Sequence, residues 1–359
     1  MTIPSTMKAV VLHGADDMRV QAWPVPELGP GEVLLKVEVA SICGTDVKVL
    51  HRTLQGQPAG EFVMGHEYAG TVAALGPGVD EFRVGDRVAV EVHKGCDRCE
   101  NCIKGWYTSC LNYGDVAKGH RAKGLTCDGG FAEYAVNHIN TLYRLPDNLS
   151  FEQACMVTTA ASPLWAIDLM GGYVAGETVL VQGPGPIGLI AVQLCKALGA
   201  ARVILTGTRE ARLAIGRQLG ADFTIDVRRE NLRERMREIT GGRGADCVLE
   251  CAGGPTSVQE ALRDRKRRGH NGVVAWYSGP VEVDMNLAVR SNVRIYAARG
   301  EGGMNCGRSL ELMSKGKILA DPIISHHFRL DQIHDAFHTY TERIGNALKV
   351  VLHVRPAES

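Results

Sequence analysis

The sequence predicts an α/β chain in two parts, a mainly β domain followed by a doubly wound parallel sheet. Three observations carry that reading. The chain has 359 residues, more than one hydrophobic core usually serves. Up to about residue 150, short alternating segments are separated by proline and glycine. Beyond that point, apolar strand-like runs alternate with amphipathic helical ones, the pattern of parallel strands joined by crossover helices.

Residues 7–12 and 32–40 alternate as strands do, and Pro24, Pro26, Gly29, Pro30 and Gly31 punctuate the gap. Further strands are expected at 69–75 and 87–90, each bounded by glycine or a charge. Residues 112–130 form a polar, glycine-containing stretch without a period, long enough for a functional loop. In the second part, strands are expected at 178–182, 202–206, 223–226, 247–250 and 272–276. Helices are expected near 151 and at 187–198, 209–219, 232–240 and 256–263. The densest charge cluster, Arg263-Asp264-Arg265-Lys266-Arg267-Arg268, reads as a solvated helix end and turn. A helix begins near Cys306, and a strand-like run at 347–354 closes the pattern.

Lysine plus arginine equals aspartate plus glutamate at 40 each, so net charge gives no reason to expect nucleic acid or an anionic membrane as partner. No apolar run approaches the roughly 18 residues of a membrane span. The opening Met1-Thr2-Ile3-Pro4-Ser5-Thr6-Met7-Lys8 lacks the apolar core of a signal peptide. A cytoplasmic protein is therefore expected. Eleven cysteines without an export signal read as metal ligands or buried small apolar residues rather than disulfides. Cys195, Cys247 and Cys251 lie in apolar segments, Cys251 near the expected cofactor.

Four cysteines crowd one loop with the spacing C-x2-C-x2-C-x7-C: Cys96, Cys99, Cys102 and Cys110. Zn²⁺ tolerates such an all-sulfur tetrahedral shell without redox chemistry. A closed four-thiolate site leaves no position for a substrate, so it is structural. Chemistry is expected elsewhere.

The run Val179-Leu180-Val181-Gln182-Gly183-Pro184-Gly185-Pro186-Ile187-Gly188 carries G-x-G-x-x-G between a strand and a helix. Its glycines permit a tight turn and close pyrophosphate approach, and the helix start offers unpaired N–H groups. Gly183, Gly185, Pro186, Ile187 and Gly188 are thus candidate cofactor-binding residues. An NAD site usually has an acidic residue about 20 positions later, on the ribose diol. Here the second strand ends Leu205-Thr206-Gly207-Thr208-Arg209. Gly207 leaves room for a 2′-phosphate, Thr208 could donate to it and Arg209 could pair with or stack over it. The expectation is NADP favoured over NAD, with Glu210 only a helix-start residue.

Cys43-Gly44-Thr45-Asp46 and Gly65-His66-Glu67 each stand beside an expected strand. A thiolate and an imidazole begin a catalytic zinc shell, which needs three protein ligands and an open position. Zinc lowers the pKa of an alcohol, and the alkoxide can release hydride to nicotinamide. Asp46 could fix the His66 tautomer, and Thr45 could relay the alcohol proton. The spacing alone also suits a core cysteine with an incidental histidine.

The chain resembles the zinc-containing medium-chain alcohol and polyol dehydrogenases, in the sorbitol and threonine dehydrogenase-like branch. The resemblance rests on the two motifs just named, Gly76-x-Gly78-Val79, Gly85-Asp86-Arg87-Val88, the cysteine quartet, Gly129-Gly130-Phe131-Ala132-Glu133-Tyr134 and the 183–188 loop. It implies a GroES-like catalytic domain over 1–160 with a structural zinc lobe at about 94–112, a Rossmann NAD(P) domain over 161–300, and a return to the catalytic domain over 301–359. It also implies two zinc ions per chain, a homodimer or homotetramer, and hydride transfer in an interdomain cleft. Cys43 and His66 would hold zinc, Thr45 would relay a proton, and Glu67 would lie beside the metal as a direct or exchanging ligand. Relatives carry the third fixed ligand where this chain has Thr158 or Thr159, and a neutral hydroxyl is a poor zinc ligand. Three readings follow. Glu67 completes the shell, which is favoured; Cys155 or Glu152 reaches in; or catalytic zinc is weak or absent. Lys48 stands where many relatives carry histidine and could touch cofactor phosphate or water. Leu50, His51, Trp106, Tyr113 and Trp165 are candidate wall residues. The implied substrate is a small secondary alcohol or polyol and its ketone. The alternative is a cofactor-binding structural or regulatory homologue without catalytic zinc.

Overall fold

A computed structural model describes residues 3–172 and 174–355. The chain divides into two compact units: Met1–Thr158, Gly300–Ser314 and Ile324–Ser359 form the first, and Thr159–Arg299 with Lys315–Ile323 the second.

The first unit is built on one long strand, Glu32–Ile42. Its N-terminal half pairs with Tyr134–His138, its C-terminal half with Lys349–His353, and its other edge with Glu67–Leu75, all antiparallel. Arg87–Val90, Leu142–Arg144 and Ile324–Arg329 complete a seven-stranded sheet. A three-stranded sheet of Asp17–Pro24, Thr6–Gly14 and Phe62–Val63 stands apart from it. A core of Val, Ile, Leu and Phe residues from both sheets, including Leu12, Leu35, Ile42, Phe62 and Phe131, holds the unit together.

The second unit is a six-stranded parallel sheet. Numbered within this unit, its strand order is 3-2-1-4-5-6, from Phe223–Asp226 through Arg202–Gly207, Thr178–Gln182, Ala245–Glu250 and Arg265–Val273 to Arg294–Ala297. The order reverses beside Thr178–Gln182, and crevices that take ligands lie at such reversals, beyond the carboxyl ends of the strands. The glycine loop follows that strand.

Two expectations differ from the structure. The sequence reading places all of 301–359 with the first unit, yet Lys315–Ile323 belongs to the second. Gln193, on helix Pro186–Ala197, accepts from the Leu319 N–H at 2.7 Å and donates to its carbonyl at 3.2 Å, while Ile318, Ala320 and Ile323 are buried. The strand expected at 272–276 instead runs Arg265–Val273, directly after helix Ser257–Asp264. Ala245 pairs with Arg265 but Cys247 with His270, so three extra residues bulge outward, with Arg268 at φ 61°. The basic run is thus half in the sheet, and Asp264 and Arg265 are buried rather than solvated.

Candidate active site and metal centres

Helix Gly44–Leu50 starts from Cys43, whose backbone is extended. Asp46 is wholly buried and serves two purposes. Its Oδ2 accepts the Cys43 N–H at 2.8 Å, capping the helix, and its Oδ1 lies 2.8 Å from His66 Nδ1. A carboxylate there fixes the proton on Nδ1 and turns Nε2 into the lone-pair donor. The local turn before His66 needs glycine. Gly65 sits at φ 91°, and a Cβ there would lie 2.2 Å from the Phe131 ring.

Donor atoms of Cys43, His66 and Glu67 all lie within 4.8 Å of one another, a spacing that one metal ion can bridge. A thiolate, an imidazole and a carboxylate suit zinc with one position left for a ligand. Burial opposes charge on His66, but the Asp46 carboxylate and then Cys43 together outweigh it and hold the imidazole pKa well above its ordinary value. Glu67 is similarly buried, yet Lys349 keeps its carboxyl below the usual range. Ser41 Oγ donates to Glu67 Oε2 at 2.7 Å, and Lys349 Nζ donates to the same oxygen. Thr45 Oγ1 lies 3.9 Å from Cys43 Sγ. Lys48, one helical turn on from Thr45, has its pKa lowered by burial, with Cys43 acting in the opposite direction.

The other candidates for a third ligand lie differently. Thr158 and Thr159 are buried at the start of helix Val157–Leu169. Cys155 directs its thiol at the Val39 carbonyl, 3.3 Å away, and burial raises its pKa. Neither Cys155 nor Glu152 joins the Cys43–His66–Glu67 group. Among the wall candidates, His51 is a surface partner of Asp16, and Trp106 is 53% exposed beside Lys104. Tyr113 packs against the rings of His93 and His120.

The cysteine quartet forms the second group. Cys96 and Cys102 sulfurs are 4.0 Å apart, and Cys99 and Cys110 sulfurs 3.9 Å. Four sulfurs held tetrahedrally at about 2.3 Å from zinc sit roughly 3.8 Å apart, so the residues fit the ion closely. Helix Glu100–Ile103 begins at Cys99, whose sulfur accepts the Cys102 N–H at 3.4 Å. Asn112 donates its side-chain amide to Cys96 Sγ at 3.1 Å and its backbone N–H to Cys110 Sγ at 3.4 Å. Such bonds favour the thiolate form that zinc requires. All eleven cysteines are free of disulfides.

The cofactor candidates gather at the carboxyl end of the parallel sheet. Gly183 turns at φ 94°, and Gly185 precedes helix Pro186–Ala197, which has proline at its start. A Cβ on Gly188 would lie 1.9 Å from the Gly183 carbonyl, so only glycine lets helix and strand approach. Around Gly185 a Cβ would meet nothing within 4 Å, which leaves open space over the helix start for a diphosphate. Ile187 stands in that first turn, and Cys251 flanks it, its Cβ 3.6 Å from where a Gly188 Cβ would be. Gly207 is buried, Thr208 exposed and Arg209 half-buried at the start of helix Glu210–Gln218. Glu210 pairs with Arg217.

Two features escaped the sequence reading. Glu250, wholly buried, accepts the Ala252 and Gly253 N–H groups at 2.8 Å each and the Tyr277 hydroxyl, and so shapes the loop beside the glycine turn. A carboxylate closing an apolar strand before Cys251-Ala252-Gly253-Gly254 is the signal that could have found it. Lys349 had no comparable signal.

Comparison with known proteins agrees with this geometry. The alcohol dehydrogenase GroES-like domain matches residues 29–147, and the zinc-binding dehydrogenase domain matches 186–315. L-threonine 3-dehydrogenase of Pyrococcus furiosus is 34% identical over 97% of this chain and 98% of its own length. Sorbitol dehydrogenase of Bacillus subtilis is 31% identical over 98% of each. A short chain alcohol dehydrogenase of Escherichia coli CFT073, solved with NADH, superposes with a TM-score of 0.88 at 27% identity, covering 98% of this chain and 100% of that one. A zinc-binding dehydrogenase of Sinorhizobium meliloti 1021, solved with NADP, gives 0.86 at 28% identity with the same coverage. With a cysteine–histidine–glutamate group, a four-sulfur lobe, a glycine-turned parallel sheet and full-length relatives of this kind, the chain belongs to the zinc-containing medium-chain alcohol and polyol dehydrogenase family.

Proposed function

We propose that this protein interconverts a secondary alcohol or polyol with its ketone, using zinc and NAD(P), with NADP preferred. The convergence of Cys43, His66 and Glu67, with Asp46 behind the imidazole, carries the reading. Zinc held there supplies the positive charge that lets an alcohol lose its proton near neutral pH. Asp46 keeps His66 Nε2 available as a donor, and Lys349 and Ser41 hold Glu67 ionised. Thr45 takes the hydroxyl proton and passes it toward solvent, with Lys48 one turn along the same helix. Oxidised NAD(P), held by the glycine turn, would supply the acceptor for the carbinol hydrogen and its electron pair, transferred together as hydride. The products would be a ketone, the reduced cofactor and one proton.

The glycine turn and Ile187 N–H region bind the diphosphate, and Cys251 and Glu250 flank it. Support for NADP lies at the end of strand Arg202–Gly207. Gly207 carries no carboxylate, and the neighbouring Asp226 is already bonded to the Arg228 N–H and paired with Arg229 at 3.6 Å. Thr208 and Arg209 would face the 2′-phosphate. The same reading gives two zinc ions per chain, one structural, and a cytoplasmic homodimer or homotetramer; no helix among the described residues is long and apolar enough to cross a membrane. Sorbitol and threonine dehydrogenases among the relatives favour a polar secondary alcohol. A panel of polyols, simple secondary alcohols and cyclic alcohols, assayed with both cofactors, tests this. Turnover of polar secondary alcohols with NADP ahead of NAD is expected. Turnover of none would favour a structural or regulatory homologue.

A further inference from the structure

The second unit carries an exposed tryptophan on a braced stretch of backbone. Trp276 lies just beyond the carboxyl end of the fifth strand, Arg265–Val273. Its side chain is 59% exposed, although both of its flanks are held. On one side, Val274 and Ala275 donate their N–H groups to the Glu250 carbonyl at 2.9 and 3.2 Å. On the other, half-buried Tyr277 donates its hydroxyl to the Glu250 carboxylate, which also accepts the Ala252 and Gly253 N–H groups at 2.8 Å each. Ser257 Oγ stands 3.3 Å from the Tyr277 hydroxyl and donates to the Gly254 carbonyl at 2.8 Å. Gly253 turns at φ 66°, and a Cβ there would lie 2.9 Å from the Trp276 carbonyl oxygen. Glu250 thus fixes the loop at 252–253 with its carboxylate, and the two flanks of Trp276 with its backbone and its carboxylate respectively.

The same brace reaches the glycine turn. The Cys251 N–H donates to the Gln182 carbonyl at 3.0 Å, and a Cβ on Gly183 would come within 2.8 Å of Ala252 Cα. In a sheet of order 3-2-1-4-5-6, the first three strands and the last three form the two mononucleotide-binding halves. The corner Gly207–Arg209 closes the second strand and so belongs to the adenosine half. Trp276 follows the fifth strand and belongs to the other half.

An indole in that place offers a flat apolar face to a ring or a ribose, and its π-system attracts the positive charge of an oxidised nicotinamide. Backbone that is already fixed lowers the ordering cost of such a contact. We propose that Trp276 is a binding residue for the nicotinamide riboside half of the cofactor, and that Glu250 positions it through Tyr277. This rests on the reading of the second unit as the NAD(P) domain.

The test compares calorimetric Kd values, in full-length protein, for the whole cofactor and for its adenosine fragment. The whole cofactor is whichever of NADPH and NADH the wild type binds more tightly, and the fragment is adenosine 2′,5′-bisphosphate or AMP to match. Trp276→Ala should weaken the whole cofactor about fivefold or more, the size of a ring-stacking contact, and leave the fragment unchanged. Trp276→Phe, which restores a flat ring, should recover most of the loss. Tyr277→Phe keeps the indole but releases its brace, and should give a smaller loss, again without effect on the fragment. The side chain of Trp276 is exposed, so the thermal midpoint of Trp276→Ala should stay at the wild-type value. Whole-cofactor binding unchanged in Trp276→Ala, or lost together with fragment binding, overturns the proposal. A Tyr277→Phe protein equal to the wild type overturns the positioning role of Glu250. Wild-type protein that binds neither NADPH nor NADH refutes the domain reading instead.

Discussion

Asp46 offers the sharpest test of how the metal site is held. It is wholly buried and bonds both the Cys43 N–H and His66 Nδ1 at 2.8 Å. Asp46→Asn keeps the shape but replaces two acceptor oxygens by one oxygen and one amide. The amide nitrogen must then face either the Cys43 N–H or the His66 ring. If it faces the ring, the Nδ1 proton is displaced to Nε2, the atom the metal needs. Losing one charge-assisted bond costs about 1.5–3 kcal/mol. Removing the partner of a metal-bound histidine typically lowers metal affinity about 10–100-fold, or roughly 1.4–2.7 kcal/mol. The two estimates agree, so zinc at this site should bind 10–100-fold more weakly by that principle. Competition with a chelator of known affinity measures this, with lobe zinc as the internal control. Zinc affinity within twofold of wild type at the Cys43–His66–Glu67 group would refute the assignment of Asp46 as the residue that orients His66.

Lys349→Met should strip buried Glu67 of its ammonium partner, at a cost of about 3–5 kcal/mol in a denaturant titration. Because Lys349 lowers the Glu67 pKa, the pair's contribution is present above Glu67's ordinary 4.5 and fades as pH falls through its lower folded value; a loss below about 1 kcal/mol at neutral pH would argue against the pair. Arg209→Ala should lower kcat/KM for NADP about tenfold or more and leave NAD nearly untouched. Equal losses with both cofactors would remove Arg209 from 2′-phosphate recognition. Gly207→Asp is the less clean substitution, since a Cβ there would lie 2.5 Å from Pro184 Cγ in the glycine turn itself.

Local spacing made much of this site legible. The quartet is read from a run of fifteen residues, Cys96 to Cys110, because short loops hold their ligands close. The Cys43 and His66 motifs are short and each adjoins a strand whose alternation is plain. What stayed hidden depends on contacts far apart in sequence. Lys349 meets Glu67 across 282 residues, and His93 meets Glu301 across 208. Nothing in either neighbourhood marks the partner. Strand Arg265–Val273 was placed too late because its first half is basic and bulged, so the apolar signal begins only at its end. Strand Ile324–Arg329, with its sequence ISHHFR, carries too little apolar alternation to be read as a strand. The segment Lys315–Ile323 joins the second unit through the Gln193 side chain and three buried residues, Ile318, Ala320 and Ile323, whose spacing follows neither a helical nor a strand period.

The central claim is that one group of donors holds a metal for chemistry and the other a metal for shape. Zinc content measured alongside turnover tests it most directly. About two zinc ions per chain are expected in the wild type. Cys43→Ala should keep the lobe ion and lose turnover, whereas Cys99→Ala should lose the lobe ion and much thermal stability. Wild-type protein that turns over a polyol while holding only the lobe ion, or a Cys43→Ala protein as active as its parent, would contradict it.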